Sequence, residues 1–223
     1  MFGVLLIIAT ASLQDNPLNK LTAEEKAAGF ELLFDGKSLA NFKGYNRAAV
    51  PTDWSASGGA LVFTPGLDGG DLSTVREFSD FELRVEFKIS VGGNSGIKIL
   101  VAEDEEESPI GPEFQIIDDD AYELSANQTT GANYDMHAPV QDAQRPAGKW
   151  NEARILKRGN AVEHWLNGHK VVQYELHSAD WLKRKAASKY REFPSYAQKN
   201  TGTICFQDHG SRVWFRNMRI KRL

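Results

Sequence analysis

The chain has one cysteine in 223 residues, Cys205, so no intramolecular disulfide and no CxxC metal or redox pair can form. Because it lies in the apolar run TICF, it is expected to be buried. Without a bridge, stability must come from a core, and 41% hydrophobic against 25% charged residues is enough to build one. No basic stripe is present and the formal net charge is -4, which excludes nucleic acid as a partner, since phosphate binding needs clustered Lys and Arg. The N-terminal apolar run, Phe2 to Ile8, is far too short to span a bilayer, so no membrane insertion is expected. HExxH, an EF-hand loop and the GxSxG elbow are all missing, as are interdomain linkers and internal repeats.

The same apolar run is followed by Ala9 and Ala11 in an A-x-A arrangement, the pattern of a secretory signal peptide with a reduced basic region. A buried terminal strand is the alternative. Residues 1–13 are therefore expected to be a signal peptide, 14–29 a lead-in and 30–223 one domain, in a protein that is secreted or periplasmic.

Beyond the lead-in, short β-like runs recur between Gly, Asn, Asp and Pro: FELLFDG, ALVF, FELRVEFKIS, GIKILVA, EFQII, NEARILKRG, AVEHWL, KVVQYEL, GTICFQ and VWFRNMRI. Strands at this spacing with little helix between them predict an all-β sandwich or jelly roll. Phe81, Leu83, Val85 and Phe87 alternate with Glu82, Arg84, Glu86 and Lys88, the pattern of a half-buried antiparallel strand. Asn167-Gly168 predicts a two-residue hairpin turn, with His164 and His169 exposed on either side of it. Ser178 to Tyr190 reads as a helix capped by Ser178, and Thr22 to Gly29 as a helical turn capped by Thr22. The acidic stretch Glu103 to Ser108 reads as a solvated loop.

The densest segment is GPEFQIIDDD, Gly111 to Asp120. A period of two puts Glu113 and Gln115 on one face of a strand and Phe114 and Ile116 on the other, in a core. An acid and an amide pointing together suggest a surface used for binding or chemistry; from this segment alone, a solvated outer face is the plainer reading. Asp118 to Asp120 offer oxygen ligands of the kind calcium takes, although three acids at a strand end are commonly only a turn. Of the five histidines, His137 in YDMHAP, beside Tyr134, and His209 in QDHG lie in loops, where binding groups concentrate.

FELLFDGKSL, NSGIK, GPEFQIID, TGANY, RPAGKWN, WLNG, SKY, GTICFQDHG and VWFRNMRIKRL stand in the order and spacing of the 3-keto-disaccharide hydrolase, or 3-keto-glucoside lyase and hydratase, family, which the chain resembles from about Phe30 to Leu223. The resemblance implies a concanavalin A-like jelly roll, a two-sheet antiparallel β-sandwich with a carbohydrate site on its concave sheet. It maps the family's asparagine-serine-glycine turn onto Asn94, Ser95 and Gly96, its glutamate-x-glutamine strand onto Glu113 and Gln115, and its QDHG segment onto Gln207 to Gly210. Many members carry an arginine shortly after the NSGI turn, where this chain has Lys98, a charge without arginine's bidentate fork.

The implied substrate is a 3-keto-glucoside. A ketone at carbon 3 acidifies the hydrogen at carbon 2, and its loss lets the glycosidic oxygen at carbon 1 leave. Such a site needs a base, a group to stabilise the enolate and an acid. Glu113 is the natural base, with His137 and His209 as further catalytic candidates and Asn94, Lys98, Gln115, Tyr134 and Gln207 as substrate contacts. No cofactor is required by this scheme, although a divalent cation could polarise the ketone instead. Two alternatives remain open. One is a laminarinase-type glycosidase pairing Glu113 with Asp118, which lies an odd number of residues away and so faces the other side of the sheet unless a bulge intervenes. The other is a non-catalytic lectin-like module using some of Trp54, Trp150, Trp165, Trp181 and Trp214, although core packing suits most of these better.

Overall fold

The computed structural model describes residues 17–66, 68–102 and 108–223; the expected signal peptide and most of the acidic loop lie outside them. In chain order the elements are α1 (Ala23–Ala27), β1 (Glu31–Leu32), β2 (Phe42–Gly44), β3 (Trp54–Ser57), β4 (Ala60–Phe63), β5 (Leu72–Thr74), β6 (Phe81–Ile89), β7 (Asn94–Val101), β8 (Glu113–Ile117), β9 (Asn151–Arg158), β10 (Ala161–Leu166), β11 (His169–Glu175), α2 (Ala179–Ala187), β12 (Thr203–Phe206) and β13 (Val213–Arg222). They build the expected two-sheet antiparallel jelly-roll sandwich. One sheet runs β11-β10-β9-β6-β13-β4-β3 with β1 alongside β13, and the other runs β2-β5-β12-β7-β8.

The alternation read from the sequence sets the layers. Phe81, Leu83, Val85 and Phe87 of β6 face the five-stranded sheet, from which Leu72, Phe206, Ile97 and Phe114 answer as one cross-strand row. Phe206 packs on Phe215 at 5.0 Å between ring centres and Phe114 on Phe87 at 6.3 Å, joining the sheets across the core. Each such side chain gains about 1.5–3 kcal/mol by burial, and each aromatic pair about 0.5–1.5 kcal/mol more.

The Asn167-Gly168 turn has positive φ at both residues, 50° and 84°, and it forms the expected hairpin between β10 and β11. His164, expected to be exposed, is fully buried: it falls on the same face of β10 as Val162 and Leu166, with Nδ1 3.0 Å from the Gly131 carbonyl and its ring 5.1 Å from Phe114. Alternation outweighed proximity to the turn. His169 is exposed as expected.

The tryptophans divide. Trp54 and Trp181 are in the core, but Trp150, Trp165 and Trp214 are half-buried on the outer face of the eight-stranded sheet. Cations cover their rings: Arg216 lies 3.9 Å from Trp150, Lys88 4.3 Å from Trp214 and Arg154 4.8 Å from Trp165.

α1 carries the expected capping box between Thr22 and Glu25 and stops at Gly29, where φ is 87°. α2 begins at the Ser178 cap as expected but ends at Ala187, short of Tyr190. Ser188 is extended, and its hydroxyl accepts from the Tyr190 amide at 3.1 Å, starting a separate 3-10 turn over Lys189–Glu192. That break points Lys189 and Tyr190 toward the five-stranded sheet.

Candidate active site

On the side of the five-stranded sheet turned away from the core, one register row crosses all five strands: Lys43, Ser73, Cys205, Lys98 and Glu113. Glu113 is 2% exposed and Gln115 1%, so neither belongs to a solvated outer face. Both look into a cleft covered by Tyr134 and by the 3-10 turn after α2. A cavity of about 320 Å³ is lined by Asp71, Lys98, Ser108, Pro109, Ile110, Glu113, Lys189, Tyr190, Phe193, Gln207, Asp208 and His209. A smaller recess shares Glu113, Lys189, Gln207 and His209 and adds Asn94, Gln115 and Tyr134.

Gly96 makes the floor possible. A Cβ at this position would collide with the Glu113 carboxylate, so the glycine of NSG leaves the space that the acid occupies. Ser95 Oγ donates to the Gln207 carbonyl at 2.8 Å, tying β7 to the strand end that carries QDHG. With its amide nitrogen turned toward Glu113, Gln115 donates to Glu113 Oε1 at 3.3 Å and to the Ser95 carbonyl at 3.2 Å. Gln207 Oε1 is buried and unpaired among the described residues, an acceptor available to a ligand hydroxyl.

The charges converge on the floor. Lys98, 7% exposed, is the direct cross-strand neighbour of Glu113. Across the cavity Asp71 is half-buried, and its Oδ1 accepts from the Asp208 amide at 2.7 Å. Desolvation raises the Asp71 pKa to about 6 against the pull of Lys98. Lys189 presents much of its surface to solvent, but its ammonium lies 4.3 Å from the Tyr134 ring centre and 5.0 Å from that of Tyr190; desolvation there lowers its pKa. Burial, with Glu113 nearby, raises the pKa of both phenols, leaving them neutral donors. Cys205 is buried as expected, and its thiol is pushed up to about 12, an unreactive state.

Seven of the eight site residues expected from sequence therefore line one cleft: Asn94, Lys98, Glu113, Gln115, Tyr134, Gln207 and His209, the last exposed at the rim. His137 does not. Asp135, with φ 58°, reverses the chain so that Tyr134 reaches the cleft while His137 turns beneath α2. Its ring stacks on Tyr174 at 4.9 Å, with Nδ1 3.1 Å from Asn133 Nδ2 and Nε2 3.5 Å from Asp180 Oδ2. The site also gains Asp71, Asp208, Lys189 and Tyr190, to which the sequence assigned no role.

Asp118 is turned aside: it accepts from the Gly92 amide at 2.7 Å, so it makes no carboxylate pair with Glu113. Asp119 accepts from the Thr130 amide at 2.9 Å, a turn contact. Among the described residues no three His, Cys, Asp or Glu are grouped to hold a metal.

The buried histidines predict a pH dependence of stability. Desolvation lowers His137 and His164 to about 4 from 6.5. Between those values the unfolded chain binds the protons that the folded chain refuses, so stability is lost as pH falls from about 6.5 toward 4, by up to about 3 kcal/mol per histidine. Asp71 acts in the opposite sense, gaining a proton in the folded state first, and offsets part of this loss. The melting temperature is expected to fall from pH 6.5 to 5, and less steeply in His164→Phe. Equal slopes would show that His164 is not buried neutral.

A model of the 3-keto-alpha-glucoside-1,2-lyase-like domain matches residues 29–221. The chain belongs to that family. A 3-keto-disaccharide hydrolase of Bacteroides thetaiotaomicron is 32% identical over 245 residues, spanning 95% of this chain and 84% of the relative. The crystal structure of a Parabacteroides distasonis protein, assigned provisionally as a glycosyl hydrolase, superposes with a TM-score of 0.87 at 39% identity, covering 92% of this chain and 99% of that one. A carbohydrate binding module from Bacillus subtilis shares the fold alone, with a TM-score of 0.51 at 11% identity over 83% of this chain and 98% of that one. Membership places the protein in a family of glycoside-cleaving enzymes.

Proposed function

We propose that the protein cleaves the glycosidic bond of 3-keto-glucosides by elimination, with Glu113 removing the proton from carbon 2. The observation that carries this reading is the enclosure of Glu113 beside Lys98 on the cleft floor of a chain in this family. Removal of the proton leaves its electron pair in an enolate whose negative oxygen is the former ketone. Lys98 is placed to stabilise that oxygen, with Lys189 and the phenols of Tyr134 and Tyr190 as further donors from the covering side. Collapse of the enolate restores the ketone, forms the double bond between carbons 1 and 2, and expels the glycosidic oxygen, which takes up a proton. Addition of water across that double bond completes net hydrolysis. The Gln207 side-chain oxygen and the Asn94 and Gln115 amides supply fixed partners for the remaining hydroxyls.

The test is turnover of a 3-keto-glucoside beside the same glucoside unoxidised, with and without chelator. Only the ketone is expected to react, because only it acidifies carbon 2. Cleavage of the unoxidised sugar at a similar rate would instead indicate ordinary glycosidase chemistry, and binding without turnover a lectin.

The role of Gly96 gives a second test. Gly96→Ala places a methyl group against the Glu113 carboxylate and is expected to cost about 1–3 kcal/mol of stability. Displacing the base by a fraction of an ångström is expected to slow turnover about tenfold or more in protein that remains folded. Unchanged turnover would mean that the base is elsewhere.

A further inference from the structure

Elimination needs an acid for the departing oxygen, and the cleft holds several candidates. Asp208 has both oxygens taken by backbone donors, Gly70 to Oδ2 and Gly210 to Oδ1, each at 2.8 Å. His209 stands exposed at the rim. Asp71, immediately before β5, lines the same cavity as Glu113, with the strands of Cys205 and Lys98 between them; among the described residues its one side-chain hydrogen bond is at Oδ1, from the Asp208 amide at 2.7 Å.

From this placement, and resting on the elimination reading, we propose that Asp71 is the catalytic acid that protonates the leaving glycosidic oxygen. The proton moves from the Asp71 carboxyl to that oxygen as its bond to carbon 1 breaks, and the carboxylate left behind retains the Asp208 amide and faces Lys98. Glu113 and Asp71 line one cavity from β8 and from the start of β5, with the strand of Lys98 between them, so one sugar in that cavity can meet a base at carbon 2 and an acid at the oxygen on carbon 1. The environments agree: desolvation holds Asp71 up near 6, Lys98 and the hydrogen bond from the Asp208 amide pull it down, and the Glu113 and Asp208 carboxylates push it up. A carboxyl with this pKa keeps a protonated fraction near neutral pH.

The decisive experiment compares two substrates in Asp71→Asn, which still accepts from the Asp208 amide. A nitrophenyl 3-keto-glucoside expels a phenolate that needs no acid, whereas a methyl 3-keto-glucoside expels an alkoxide that does. The methyl glycoside is expected to slow by about tenfold to a hundredfold and the nitrophenyl glycoside by less than about threefold. The wild-type rate on the methyl glycoside is expected to fall as pH rises above about 6, and this limb to vanish in the variant. Because both substrates are read in one preparation, a general loss of folded protein cannot mimic the difference. An equal loss on both substrates, no loss on the methyl glycoside, or the selective pattern in His209→Gln instead would each overturn the assignment. If the wild type turns over neither substrate, the elimination reading itself fails.

Discussion

Glu113→Gln is expected to slow cleavage of a 3-keto-glucoside by about 10²–10⁴-fold, the usual contribution of a general base. The substitution is nearly isosteric, and it removes a carboxylate that is 2% exposed, so the fold should survive with its melting temperature little changed. The Gln115 amide, which donates to Glu113 Oε1 at 3.3 Å, finds a carbonyl oxygen in its place. Substrate affinity should be retained, since the lost group acts on a proton and not on a hydroxyl. The sharpest readout is exchange of the carbon 2 hydrogen with deuterated solvent, which a base permits even when the glycosidic bond holds. Exchange is expected in the wild type and not in Glu113→Gln. A variant that exchanges and cleaves at the wild-type rate would remove Glu113 from the chemistry and leave His209, at the rim of the same cleft, as the next base to test.

Much of this site could be read from one strand. The alternation of Glu113 and Gln115 with Phe114 and Ile116 fixed which side of the sheet each would face, because side-chain direction in a strand is a local property. Order and spacing of short motifs then brought NSG and QDHG to the same place, and the register confirms it: Lys98 stands across from Glu113, and Ser95 binds the carbonyl of Gln207. The residues missed have different reasons. Asp71 follows two glycines and precedes a strand of three residues, Leu72–Thr74, so nothing local marks it; only the pairing of Ser73 with Cys205 and of Cys205 with Lys98 carries it to the cleft. Lys189 and Tyr190 lie within the matched SKY segment, yet read as the end of a helix because the helix formers run on. The extended backbone at Ser188 turns them inward, and a cap inside a favourable helical sequence is difficult to foresee. His137 failed for the opposite reason: its motif was visible, but the positive φ of Asp135 divides YDMH between the cleft and the interior.

Lys98→Met should separate stabilisation of the transition state from simple binding. Methionine keeps an unbranched apolar stem and removes the ammonium, so packing between Glu113 and Cys205 is largely retained while the enolate loses its cation. A loss of about 10²–10³ in kcat with little change in KM is expected, because the charge on the ketone oxygen exists only after the proton has gone. Lys98→Arg should recover part of the rate, since it restores the charge on a different head group. The variant also has a consequence for the acid. Lys98 lowers the Asp71 pKa, so its removal should raise that value above about 6 and move the alkaline limb of the methyl glycoside profile to higher pH. A lysine that merely bound substrate would instead raise KM at constant kcat, and one that merely packed would leave the limb where it was. Either result would take Lys98 out of the role of enolate stabiliser and pass it to Lys189, whose ammonium approaches the same cavity from the covering side.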